Sequence, residues 1–147
     1  MSEFIDLGDV IDPVTMQIRE YVLPNPAARP RRIALTPDDV VWYTDYARGY
    51  LGRFDPTTGT FREWPSPSGA RSLPDGITHV GNVIWYAESG TKPNMLVRFD
   101  PKTEKFQSWP VKAGGGIKHI YADRDGSLWF TRPLANGIAH VTIKDNN

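Results

Sequence analysis

The stretch "LGRFDPTTGTFREWP", residues 51–65, returns 45 residues later as "LVRFDPKTEKFQSWP", residues 96–110. A phrase written twice in 147 residues points to a repeating structural unit, and the period identifies the kind. Outward from the phrase, its closing element occurs a third time: "IREYVLP" at 18–24 precedes "FREWP" at 61–65 and "FQSWP" at 106–110. The turn "DP" recurs at Asp12, Asp55 and Asp100. A tryptophan set among small, β-branched and aromatic residues recurs as "VVWYT", "VIWYAE" and "SLWFT", which places Trp42, Trp85 and Trp129 at intervals of 43 and 44. The period is therefore about 44 residues.

Within a period the runs are short, β-branched and aromatic, and are bounded by Asp, Gly, Asn and Pro, as in antiparallel strands joined by tight turns. The second period predicts strands at Gly76–Val80, Val83–Glu88, Met95–Phe99 and Lys105–Trp109, and the hairpin between the first two strands is Pro37-Asp38-Asp39, Gly81-Asn82 or Asp125-Gly126 in successive periods. Proline presets φ in the Asp-Pro-x-Thr turns, while Asp and Thr can bond the local backbone. No amphipathic helix is evident. Four antiparallel strands per 40–50 residues is the signature of a β-propeller blade. The expected fold is all-β, with about three and a half blades: a half-blade at 7–24, blades at 32–65 and 75–110, and an incomplete blade at 116–143.

Composition narrows the function classes. Hydrophobic residues make up 39% of the chain, enough for a single core. Seventeen basic residues balance seventeen acidic ones, which removes the general electrostatic attraction to nucleic acid or anionic membrane. The first residues lack a basic segment followed by an apolar run, so a cytoplasmic protein without a membrane partner is expected. With no cysteine, neither disulfides nor thiolate metal sites can hold the fold.

The pattern of DG, WFT, GR, DP-x-TG and E-W-P elements resembles the repeat of the streptogramin B (virginiamycin B) lyase propellers, in the segments "LPDGITHVGNVIWYAE", "HIYADRDGSLWFTR", "LGRFDPTTGTFREWP" and "LVRFDPKTEKFQSWP". The resemblance runs from about Leu7 to Ile143 and implies a propeller. Those lyases have seven blades in a chain about twice as long, so this chain resembles half of one. A propeller needs roughly four to eight blades to close, and completion by self-association is expected, as a homodimer or other closed oligomer joined through N- and C-terminal strands. A two-fold axis along the channel allows only an even number of equivalent blades.

Polar residues at the channel mouth are the candidate site. Three positions after each blade tryptophan stand Asp45, Glu88 and Arg132; near the start of each innermost strand stand Arg31 and Arg32, Asp75 and Gly76, and Lys118 and His119. In the lyases that the chain resembles, a His at the innermost start and a Glu after "WFT" perform acid–base work beside a magnesium ion, in an elimination that opens the ester-linked ring of the antibiotic. Such an elimination needs a base for a carbon-bound proton and an acid or metal for the departing oxygen. The resemblance implies His119 and Glu88 as the catalytic pair, with Glu88 also a metal ligand. Here they fall in adjacent blades: Arg132 stands where the Glu of the His119 blade is expected, and His119 lies one place nearer its Trp than the family's His.

Asp45, His79, Arg132, Lys118, Arg32 and Tyr86 complete the candidate ligand-binding set, facing a cyclic or aromatic small molecule. The expected function is small-molecule binding without an intact catalytic pair and with no certain cofactor. The alternatives are a Mg2+-dependent streptogramin B lyase assembled across subunits, or a propeller that only binds other proteins. His140 lies far from the expected axis. Asp123-x-Asp125-Gly126 reads as a hairpin turn rather than a calcium loop, since no Glu follows at the required distance. Ala113–Ile117 reads as a connector, because the Lys-Ser/Thr ending of a phosphate loop is missing.

Overall fold

The computed structural model describes residues 10, 11, 13–112 and 115–144. Leu7 to Asp9, the turn residue Asp12 and the connector residues Ala113 and Gly114 lie outside the described residues. A two-stranded hairpin, β1 (Val10–Ile11) and β2 (Ile18–Arg19), comes first. A four-stranded sheet follows, blade A: β3 (Pro30–Leu35), β4 (Val41–Asp45), β5 (Tyr50–Asp55) and β6 (Thr60–Pro65). Blade B comprises β7 (Pro74–Val80), β8 (Val83–Glu88), β9 (Asn94–Asp100) and β10 (Lys105–Val111). Blade C has three strands, β11 (Ile120–Ala122), β12 (Leu128–Arg132) and β13 (Gly137–Val141), with a one-turn 3-10 helix at Pro133–Ala135 that the sequence pattern does not announce. Every pairing is antiparallel, and the first strands of the blades, β3, β7 and β11, lie side by side. The all-β propeller architecture expected from the repeat is present. Blade A starts at Pro30 rather than 32, because Pro30 already pairs with Asp45 ahead of a bulge.

The repeated "DP" turns work as their chemistry requires. Asp55 Oδ1 accepts the Thr57 N–H at 3.0 Å and Asp100 Oδ1 accepts the Lys102 N–H at 2.9 Å. The backbone then closes through Gly59 N–H to Asp55 C=O and Glu104 N–H to Asp100 C=O, both 2.8 Å.

The core lies between the blades rather than within one sheet, because consecutive residues of a strand point to opposite faces. Ile84 and Tyr86 of β8 pack toward blade A, into a cluster with Val40, Trp42 and Leu51. Trp85 and Ala87 of the same strand pack toward blade C, with Ile117, Ile120, Leu128 and Phe130. Each interface has the same stack of two indoles, one on the second strand and one on the fourth: Trp42 on Trp64 with centroids 5.8 Å apart, and Trp85 on Trp109 at 5.7 Å. Trp42 and Trp85 are therefore packed between blades as expected. Trp129 is partly exposed and stacks instead on His140 at 4.0 Å, since among the described residues no blade covers its face.

On the other face of blade A, the Tyr43 ring lies flat over Gly52, its cross-strand partner. A Cβ added at Gly52 would stand 1.9 Å from Tyr43 Cζ. The Tyr43 hydroxyl, carried past this glycine, donates to Glu63 Oε1 at 2.9 Å, and Arg48 meets the same oxygen at 2.7 Å. Gly52→Ala should lower unfolding free energy by about 1–3 kcal/mol through overpacking, measured by urea denaturation, whereas Gly59→Ala, with open space around it, should act only through its positive φ and cost about 1 kcal/mol.

Candidate functional site

The starts of β3 and β7 and the segment leading into β11 meet at one end of the blade array. Register makes Arg31, Asp75 and Lys118 equivalent, and likewise Arg32, Gly76 and His119, because Ile33, Ile77 and Ile120 occupy the same place in their blades. The buried Asp75 carboxylate is the centre of the cluster. Arg31 Nε lies 3.2 Å from one oxygen and Arg32 Nε 3.3 Å from the other. Arg32 Nε also donates to the Lys118 carbonyl at 3.2 Å, so this one guanidinium links blades A, B and C. Gly76 makes the close approach possible: a Cβ there would stand 2.8 Å from the Lys118 carbonyl carbon and 2.9 Å from the His119 nitrogen. Arg31 lies over the Tyr46 ring at 4.3 Å, within cation–π range. Arg31 and Arg32 thus flank one carboxylate at the mouth, the backbone of Lys118 and His119 runs beside it, and Arg31, Lys118 and His119 are exposed.

Asp45, Glu88 and Arg132 are not brought together at this mouth. Each instead binds the connector that leads into its own blade. Asp45, fully buried, accepts from the Arg29 N–H at 3.0 Å and from Arg48 Nε at 2.6 Å. Glu88, also fully buried, accepts from Ser66 Oγ at 2.6 Å and the Ser68 N–H at 2.9 Å through one oxygen, and from Ser68 Oγ through the other. Arg132 Nη2 donates to the Lys112 carbonyl at 2.8 Å. A connector that offers N–H and O–H groups meets an acid, and one that offers a carbonyl meets an arginine.

Tyr86 belongs to the Glu88 clasp rather than to a surface. Its hydroxyl is 2.7 Å from Ser66 Oγ, and the side chain is wholly buried. Burial first, and then the nearby Glu88 carboxylate, hold its phenol far above the ordinary tyrosine value. His119 is exposed, and among the described residues no hydrogen bond or ion pair joins it to Glu88. No three His, Asp or Glu side chains converge among the described residues, and both Glu88 oxygens are taken. Among the described residues, the donors of a magnesium ion are therefore not assembled.

His79 bonds through Nδ1 to the Gly81 carbonyl at 2.8 Å, at the hairpin end of β7. Asp125 accepts both the N–H and the hydroxyl of Ser127, and these bonds hold its carboxyl below the usual range; it shapes the β11–β12 hairpin. The Tyr43–Glu63–Arg48–Asp45 network went unpredicted. Its only sequence signal is Gly52 opposite an aromatic, which acquires meaning once the register is known.

Glu88→Ala should cost about 2–4 kcal/mol, since it leaves the Ser66 and Ser68 donors unsatisfied in a buried place, and Glu88→Gln should cost less; thermal unfolding checks the order. Raised phenol values also fix a sign. Stability conferred by protonated Tyr86 and Tyr43 is complete below about pH 10, where unfolded tyrosine ionises, and is lost as pH rises beyond it. Unfolding temperature should fall above about pH 10, less steeply in Tyr86→Phe.

A known family accounts for this arrangement. The model of the Virginiamycin B lyase family matches residues 10–146. A virginiamycin B lyase from Staphylococcus aureus, solved in selenomethionine form, superposes with a TM-score of 0.74 at 27% identity, over 92% of this chain and 48% of that one. A catalytically inactive virginiamycin B lyase from the same organism, solved with quinupristin, gives 0.71 at 27% identity, over 89% and 47%. A putative 6-phosphogluconolactonase from Bacteroides uniformis shares the fold alone, with a TM-score of 0.74 at 14% identity over 93% and 43%. No curated protein matches the sequence. The chain spans about half the length of the solved lyases it matches, and it belongs to the virginiamycin B lyase family.

Proposed function

We propose that the chain is a small-molecule-binding half-propeller whose ligand sits at the mouth formed by the starts of β3, β7 and β11. One observation carries the reading: Arg31 and Arg32 flank a single buried carboxylate, Asp75, and Arg32 also reaches the backbone of the exposed Lys118–His119 step beside it. Four groups that can donate and one acid favour a ligand rich in carbonyl or carboxylate oxygens. The flat surface of Tyr46 beside Arg31 suits a ring. Family membership makes a cyclic depsipeptide the first ligand to try.

The alternative is magnesium-dependent ring opening, with His119 and Glu88 as its pair. It is favoured by the exposed position of His119 at the mouth and requires Glu88 to leave Ser66 and Ser68.

Calorimetric titration with quinupristin separates the readings. Saturable binding is expected, weakened about tenfold or more, or about 1.4 kcal/mol, by Lys118→Ala, whose exposed side chain makes no hydrogen bond or ion pair among the described residues. Affinity should fall as salt is raised, and chromatography should show the ring intact after incubation with magnesium. Ring opening abolished by His119→Ala would establish the lyase instead; absence of any binding would leave the mouth without this ligand class.

A further inference from the structure

The two ends of the blade array expose the positions that its two internal interfaces bury. Trp42 and Trp85 are 2% and 4% exposed, but Trp129, at the same place in blade C, is 39% exposed. Ile77 and Ile120 are each 8% exposed, but Ile33, at the same place in blade A, is 56% exposed. One end of the chain therefore carries the tryptophan half of a blade interface, and the other end carries the isoleucine half.

β2 already stands where the fourth strand of a blade preceding A belongs. Tyr21 packs on Phe54 with centroids 4.6 Å apart, as Trp64 packs on Phe99 at 4.9 Å. Arg19 lies 5.2 Å over the Tyr21 ring, as Arg62 lies 4.8 Å over Trp64. Among the described residues the only strand paired to β2 is β1, through two residue pairs, Val10↔Arg19 and Ile11↔Ile18. Blade C, for its part, stops at β13 among the described residues. Beside β13, between the outer parts of blades B and C, lies a cleft of about 940 Å³ lined by Trp109, Val111 and Val141. At the A–B interface the corresponding space is filled by Phe106, whose ring packs tilted against Phe99 with centroids 4.6 Å apart. Ile18 is the counterpart of Phe106, and it is half exposed.

We propose that β2 of a second copy is the fourth strand of blade C, displacing β1 from the edge that β13 takes, and that the reciprocal exchange closes a two-fold ring of six blades. The repeat fixes the register. Leu51↔Trp64, Arg53↔Arg62 and Phe54↔Phe61 in blade A translate to Ile138 opposite Tyr21, His140 opposite Arg19 and Val141 opposite Ile18 of the second copy. Tyr21 then stacks on Trp129 as Trp64 does on Trp42, Ile18 enters the cleft beside Trp109, and Ile33 is covered by the Trp129 face. Tyr21 keeps its contact with Phe54, so β2 does not move. Both joints are the same head-to-tail contact, and two chains close it into a ring because their six blades fall in the range in which propellers complete a circle.

The chain has no cysteine, so an engineered pair reports register without background. Light scattering over a concentration series should find a species of about 33 kDa, twice the 16.5 kDa chain, which Ile33→Asp converts to a folded monomer by circular dichroism. Mixing Arg19→Cys protein with His140→Cys protein under oxidation should give a disulfide-linked heterodimer, and mixing Arg19→Cys with Thr142→Cys, two residues out of register, should give at least tenfold less. A 16.5 kDa species at every concentration, an open-ended series of larger masses, or equal cross-linking in both mixtures would each overturn the proposal.

Discussion

Everything in this structure depends on a sheet having two apolar faces and no core of its own. A four-stranded blade buries one face only against the blade before it and the other only against the blade after it, so the indole pairs Trp42–Trp64 and Trp85–Trp109 belong to interfaces, not to blades. The large apolar area of an indole makes these the dominant favourable contacts. Arg53 over Trp42 and Arg62 over Trp64 then cover the outer rim with charge that stays in water. Burial at a repeated position thus reports whether a neighbour is present, and residue type alone does not.

Much of the fold was legible because the repeat supplies its own alignment. Of the four strands expected in the second period, Val83–Glu88 matches its observed bounds and the others extend by at most two residues at either end. Pattern and turn chemistry agree there: the unbroken apolar run of "VIWYAE" marks a strand buried on both faces, and Asp-Pro fixes the turn after Phe99. The clasps were not legible. Asp45, Glu88 and Arg132 sit at strand ends, where a polar side chain can turn either toward the channel or toward the chain entering the blade. Sequence spacing is the same for both. Only the positions of Arg29, Ser66, Ser68 and Lys112 decide, and those residues lie in connectors without a repeat.

The mouth and the clasps divide the polar residues by function. Asp45 and Glu88 are dry, with their oxygens taken up by connector and loop donors, and this fixes the entry point of each inner strand. With entry fixed, Gly76 can admit the blade C backbone at close range, and Arg32 can reach from blade A to Asp75 and to the Lys118 carbonyl. The exposed groups at the axis are positioned by buried ones that never meet solvent.

The change in clasp chemistry at blade C bears on how such a chain avoids confusing its own parts. Nearly identical repeats invite the wrong segment to dock in the wrong sheet during folding. A connector that projects N–H and hydroxyl groups finds acceptors at Asp45 or Glu88 but meets only donors at Arg132, while the Lys112 carbonyl has no use for a carboxylate. Hydrogen-bond polarity therefore keeps the lead-in of blade C apart from those of blades A and B, since an exchange between them leaves polar groups without partners even where the apolar faces would accept either neighbour.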